Sequence, residues 1–293
     1  MSKVDQITPW VARGSWVVVA LTATGALGDV LDGRSVLAQM VVVVSLSVAW
    51  TAGLVTLLVP RSASLTGARL VVPAGLAATV TMAAFGSTLD FADIGAILAA
   101  TLATLAVVSP WFTEAWVDGS SYGPEQRLPL QTPTLLGLTV VPLSWLAAVA
   151  GVAIGPGLAA AGQWMVAVPA SAAGLVVARQ AALSLHQLSR RWVVLVPAGM
   201  VLHDPLTLAE PQLFPRLAVA SLGPALADTD AEDLTGGASG LALQLDLTEP
   251  VDLLVIRGRN RTETVETNAL LFTPARPAHL LDRARHHRIR VPT

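Results

Sequence analysis

Six stretches of nearly unbroken apolar residues run from Trp16 to Ala178, with charged residues at their ends, and alternating apolar and polar positions follow to the C-terminus. A helix crosses the hydrocarbon of a bilayer with about 20 apolar residues, within a range of roughly 17 to 25. The pattern predicts spans near Gly14–Leu31, Val36–Val59, Ala68–Leu89, Ile94–Phe112, Thr134–Ile154 and Leu158–Ala178. The first is short, because Arg13 and Asp29 leave only about 15 uncharged residues between them. A cleaved signal peptide ending near Ala23–Ala26 is the rival reading; the weakly basic segment before it, which holds Asp5, argues against that.

After the last span the period changes. Arg191–Val196, the turn Pro197–Gly199 and Met200–His203 read as a hairpin. Strands follow at Leu217–Leu222, Leu241–Leu247, Val251–Ile256 and Asn268–Thr273, and a helix over Arg276–Arg288 is placed to cover a sheet with Leu280, Leu281 and Ala284. The expected fold is an α-helical membrane bundle of six transmembrane helices (1–178) followed by a small cytoplasmic antiparallel β domain with a C-terminal helix (179–293).

Composition agrees with this division. Hydrophobic residues make up 53% of the chain and charged residues 13%, against roughly 25% charged in soluble domains. Mean hydropathy is +0.63. No cysteine is present, which excludes disulfides, thiolate metal sites and cysteine nucleophiles. Basic residues set the orientation: Lys3 and Arg13, Arg61 and Arg69, Arg127, and Arg179 with Arg190 and Arg191 fall on one side, which the positive-inside rule makes cytoplasmic. Both termini are then inside a bacterial plasma membrane, and the Asn260-Arg261-Thr262 sequon carries no glycan.

Chemistry within the spans is sparse. Val72-Pro73, Val141-Pro142 and Val168-Pro169 fall inside apolar runs, where proline frees a carbonyl and kinks the helix. Small residues recur at four-residue spacing in Gly151-x-x-x-Gly155 and in Ala170, Gly174 and Ala178. Such faces pack helices closely, within one bundle or across a homo-oligomer. On the outer side, Asp29-x-x-Asp32 and Asp90-x-x-Asp93 would form a hard-cation site if their two turns met; helix capping is the plainer role. The stretch from Trp111 to Pro133 is long for a helix connection and is expected to dock on the β domain through Glu125 or Arg127.

Arginines dominate the tail. Arg257, Arg259 and Arg261 crowd one strand turn, and with Arg190 and Arg191 they form the expected binding site for a ligand or anionic headgroup. Arg283, Arg285, Arg288 and Arg290 extend the basic surface, while Glu263, Glu266 and Asp282 offer partial balance. Interleaved acids and scarce aromatics argue against nucleic acid. No catalytic constellation, cofactor loop or metal-ligand spacing is present: His279, Asp282 and His286 share a helix face crowded by arginines, and Gly236–Gly240 lacks the lysine of a phosphate loop.

The strand order ending in the Arg276–Arg288 helix resembles bacterial pleckstrin-homology-like domains. Tyr122-Gly-Pro-Glu-Gln-Arg127 and Arg190-Arg-Trp-Val-Val-Leu-Val-Pro-Ala-Gly-Met-Val-Leu-His-Asp204 make the whole chain similar to uncharacterised actinobacterial multi-pass membrane proteins. The resemblance implies a fold and no activity. The expected function is a membrane-anchored binding or scaffolding module acting on a partner protein or anionic lipid headgroups. The alternative is a transporter or channel component using the proline-kinked spans and outer aspartates.

Overall fold

The computed structural model describes residues 3–86, 89–258 and 261–292. It divides the chain into two compact units: residues up to Trp116 with Leu143–His186, and Val117–Pro142 with Gln187 onward.

The first unit is helical. Its elements are α1 (Lys3–Thr22), α2 (Thr24–Leu31), α3 (Val36–Leu58), α4 (Ser62–Phe85), α5 (Phe91–Val108), most of α6 (Pro110–Asp118) and, after the short α7 (Thr134–Leu138) of the second unit, the greater part of α8 (Val140–Ala160) and α9 (Trp164–Leu188). Six helical segments among the described residues are long and apolar enough to cross a membrane: Lys3–Leu31, Val36–Leu58, Ser62–Phe85, Phe91–Val108, Thr134–Ala160 and Trp164–Leu188.

Three boundaries differ from those read off the sequence. Helix α4 starts at Ser62 and not near Ala68, so Arg69 lies about two turns inside the helix instead of at its start. Gly155-Pro156-Gly157 is helical, and the reversal comes later, where Gly162 at φ 77° lets its own N–H reach Ala159 O (3.0 Å) and that of Gln163 reach Leu158 O (2.9 Å). These paired bonds satisfy the last carbonyls of α8, and glycine tolerates the left-handed backbone they need. Pro142 sits in the first turn of α8 and is not an interior kink: it cannot donate to Leu138 O, so α7 ends there. Pro73 and Pro169 do lie inside α4 and α9.

Packing of this unit relies on small residues. Trp16, 2% exposed, donates from Nε1 to Trp50 O and receives the reciprocal bond from Trp50 Nε1, both at 3.0 Å. Its ring occupies space that only glycine leaves open: a Cβ at Gly53 would lie 2.7 Å from it and one at Gly75 2.5 Å. Gly151 and Gly174 bring the backbones of α8 and α9 together, and Gly155 receives Ser171. The Gly151-x-x-x-Gly155 face is therefore filled by the same chain, as the bundle reading of that motif requires.

The second unit is built on two four-stranded sheets. One has the order β1 (Gln126–Pro129), β2 (Trp192–Val196), β3 (Gly199–His203), β4 (Gln212–Pro215), all antiparallel. The other is built from β5 (Val219–Pro224), β6 (Glu232–Asp233), β7 (Leu243–Ile256) and β8 (Thr262–Phe272) in the order β5-β7-β8-β6, with the short β6 parallel to β8. The two strands expected around Pro250 are one long strand, β7, whose register slips between Asp246 and Val251. Helix α10 (Pro277–His286) closes the unit, burying Leu280 and Ala284 in a core shared with Leu195, Met200, Phe214, Leu243 and Phe272. At the β2–β3 turn only glycine fits position 199, since a Cβ would collide with Phe214 O.

The sequence places the domain boundary at 178/179, and the fold moves it. The first strand of the β unit comes from the connection between the fourth and fifth spans, so 117–142 belong with 187–293, and α9 continues to Leu188. Leu128 and Leu130, 4% and 7% exposed, are part of the β core. A soluble fragment starting at Gln187 is expected to aggregate or show molten-globule spectra, whereas one with residues 117–134 fused through a flexible linker gives a cooperative unfolding transition by circular dichroism.

Candidate functional site

The basic residues of the β unit separate into those already neutralised and those that remain exposed. Arg191 and Asp204, 3% and 2% exposed, form a bidentate pair: Nε donates to Oδ1 at 2.7 Å and Nη2 to Oδ2 at 2.6 Å. Arg191 Nη1 also donates to Gln131 O (2.7 Å), and Asp204 Oδ1 accepts the N–H of Leu206 (3.1 Å). A buried ion pair with these extra bonds is a structural clamp. Arg191 is thus withdrawn from the headgroup site, because its guanidinium has no free face toward solvent.

The hairpin explains the pairing. Trp192 lies opposite His203, so Arg191 and Asp204 are the next opposed positions. The His203 ring stacks on Trp192 with centroids 4.9 Å apart, and its Nδ1 contacts Arg190 O at 2.7 Å. On the other side of Trp192, the Arg127 guanidinium lies 5.7 Å from the ring centroid, so the long connection does dock on the tail as expected. Arg127 N also donates to Asp118 Oδ1 (2.9 Å), fixing the entry to β1.

Arg257 is engaged as well. Its Nη2 lies 2.7 Å from Glu232 Oε1 and its Nε 3.4 Å from Glu263 Oε2, and its backbone N–H donates to Arg261 O (3.0 Å). Glu232 thus pairs with one of the turn's arginines, a partner hidden by the distance in sequence between β6 and the end of β7. Arg261 and Arg190 are exposed. Arg259 and Asn260 lie outside the described residues.

Of the four aspartates at the two turns, Asp90 and Asp93 take the capping role. Asp90 Oδ1 accepts the N–H of Asp93 (2.8 Å) and Asp93 Oδ2 accepts that of Asp90 (3.1 Å), a reciprocal capping box on α5. Asp32 Oδ1 accepts the N–H of Gly33 (3.0 Å), and Asp29 lies in α2. Among the described residues no group of three or more His, Asp or Glu side chains is placed to hold a metal ion. Among the described residues the four aspartates are thus not grouped as a metal site, and Asp90 and Asp93 act as the cap of α5. His279, Asp282 and His286 likewise form no such group; His286 Nδ1 contacts Asp282 O (2.7 Å) instead.

The basic C-terminal segment keeps its charge outward. Arg285, Arg288 and Arg290 are exposed. Their backbone is held: Ile289 N donates to Ala284 O (2.9 Å), Arg288 takes φ 59°, and Leu222 N donates to Arg290 O (2.9 Å). His287, between them, has its pKa lowered. Burial disfavours its charged form most, a backbone bond with Val196 opposes that, and the charges of Arg283 and His286 lower it further.

Comparisons with known proteins return no matching family model, curated protein or solved structure.

Two outcomes follow for the β unit. Arg191→Met leaves Asp204 buried and unpaired, so it destabilises by about 3–5 kcal/mol, while Arg191→Met with Asp204→Leu recovers most of that in thermal unfolding. Because the unfolded His287 binds its proton at a higher pH than the folded one, stability is complete above pH ~6.5 and falls as pH drops below it. His287→Gln flattens that slope of midpoint against pH.

Proposed function

We propose that the chain is a membrane-embedded binding module whose β unit recognises anionic lipid headgroups through its basic C-terminal segment. One observation carries the reading: Arg191 and Arg257 are matched by carboxylates, whereas Arg285, Arg288 and Arg290 are exposed on a backbone tied to α10 and β5. Each basic residue near an anionic surface contributes about 1 kcal/mol, so three on one fixed segment give binding that depends on salt and lipid charge. The two sheets closed by a terminal helix support a pleckstrin-homology-like architecture for this module. The arginine-rich connections support a bacterial plasma-membrane location with both termini cytoplasmic. Transport through an outer aspartate site is disfavoured, since Asp90 and Asp93 serve α5 as caps.

The test is amide exchange of the full-length protein in nanodiscs of phosphatidylcholine alone or mixed with phosphatidylglycerol. Exchange over residues 284–292 is expected to slow with the anionic lipid, and Arg285→Ala, Arg288→Ala and Arg290→Ala together abolish the difference. Identical exchange in both lipids would refute the reading and leave a protein partner as the module's target.

A further inference from the structure

We infer that the helical unit carries a binding site for a phosphate-type oxyanion, built on Arg69 and completed by Arg13 and Thr113. Arg69 lies in α4, seven residues beyond Ser62 and so roughly 10 Å along the helix. Its Nη2 donates to Thr113 Oγ1 at 2.5 Å, and its Nε is buried with no hydrogen-bond partner. No described carboxylate forms an ion pair with it. Thr113 cannot balance the charge: its hydroxyl donates to Ser109 O (2.8 Å) and offers Arg69 only a neutral oxygen.

A guanidinium stays protonated in proteins, so burying it beside a neutral acceptor is costly unless an anion joins it. The surroundings already fix its geometry. Trp116, one helical turn after Thr113, stacks on Phe112 at 3.7 Å and donates from Nε1 to Thr56 O (2.9 Å). Arg13 Cζ lies 5.7 Å from the Trp116 ring centroid and 5.0 Å from that of Trp10, while its Nε donates to Leu57 O (2.8 Å). Arg69 thus meets Thr113 and Arg13 lies beside Trp116, three positions further along α6. The Nε of Arg69 remains as an enclosed donor without a partner. An oxyanion with several oxygens engages both arginines, which one neutral hydroxyl cannot. That chemistry fits the phosphodiester of a lipid headgroup or free phosphate.

The site is independent of the basic C-terminal segment, and its test separates the two. Full-length protein, stripped of lipid in neutral detergent, is titrated with phosphatidylglycerol, with diacylglycerol of the same chains, and with inorganic phosphate. Binding is followed by native mass spectrometry and thermal shift. Phosphatidylglycerol, phosphate or both are expected to bind and stabilise where diacylglycerol does not. Success of the lipid alone identifies the phosphodiester source, and success of inorganic phosphate shows that a soluble anion suffices. Arg69→Gln is expected to lose about tenfold or more in affinity, the scale of a charge-assisted bond. Arg69→Lys falls between, and the Arg285, Arg288 and Arg290 alanine variant binds like wild type. Should Arg69→Gln fail to fold, the wild-type titrations and Arg69→Lys decide the matter. Equal stabilisation by diacylglycerol, no binding of either phosphate probe, or unchanged affinity in a folded Arg69→Gln would overturn the proposal.

Discussion

Backbone polar groups removed from water must be paired, and the segment Gln126–Thr134 meets this demand by joining strands distant in sequence. Its first four residues pair with β2. Beyond them Leu130 N donates to Arg191 O (3.0 Å), Gln131 N to Thr273 O (2.8 Å) and Thr134 N to Gly237 O (3.2 Å), while Ala275 N donates to Pro129 O (2.9 Å). One stretch of chain therefore ties the first sheet to the end of the second. The Arg191–Asp204 pair clamps the same stretch by holding Gln131 O. Without it, β2 would present an unpaired edge and the core would lose Leu128 and Leu130.

That constraint gives the helical connections a second purpose. The chain enters the β unit twice, once between the fourth and fifth spans and once after the sixth. Such an arrangement holds the unit at several points of its sequence, so α6, α7 and α9 must each end where a strand or its approach begins. The helical unit is organised on a different principle. Close contact comes from Gly53, Gly75, Gly151 and Gly174, where no Cβ holds the neighbouring chain away, and from the reciprocal tryptophan bonds.

Charge is allocated differently in the two units. In the β unit, carboxylates distant in sequence occupy Arg191 and Arg257, while Arg190, Arg261, Arg285, Arg288 and Arg290 are exposed. In the helical unit, Arg13 and Arg69 are met by carbonyls, a hydroxyl and aromatic faces, which supply hydrogen bonds and polarisable surface but no negative charge. Both patterns leave cationic groups without a carboxylate among the described residues.

Much of the architecture was legible before any coordinates. Runs of apolar residues determined the six long helices, because length and composition suffice to specify a segment that makes its own backbone bonds. Alternation determined the β2–β3 hairpin and the terminal helix, but the opposition of Arg191 and Asp204 came only with the structure, where Val196 pairs with Gly199 and the turn is one residue shorter than the Pro197–Gly199 turn read from the sequence. Capping by Asp90 and Asp93 was also readable, since the box is a local pattern. What only the tertiary structure decided is non-local. Residues 126–129 carry no strand signal strong enough to assign them a partner more than sixty residues away. Glu232 finds Arg257 only through β6 and β8, and the enclosed, unpartnered Nε of Arg69 shows only when α4 and α6 are packed. Local propensity acts over a few residues, whereas pairing of edges and charges depends on which surfaces the folded chain brings together.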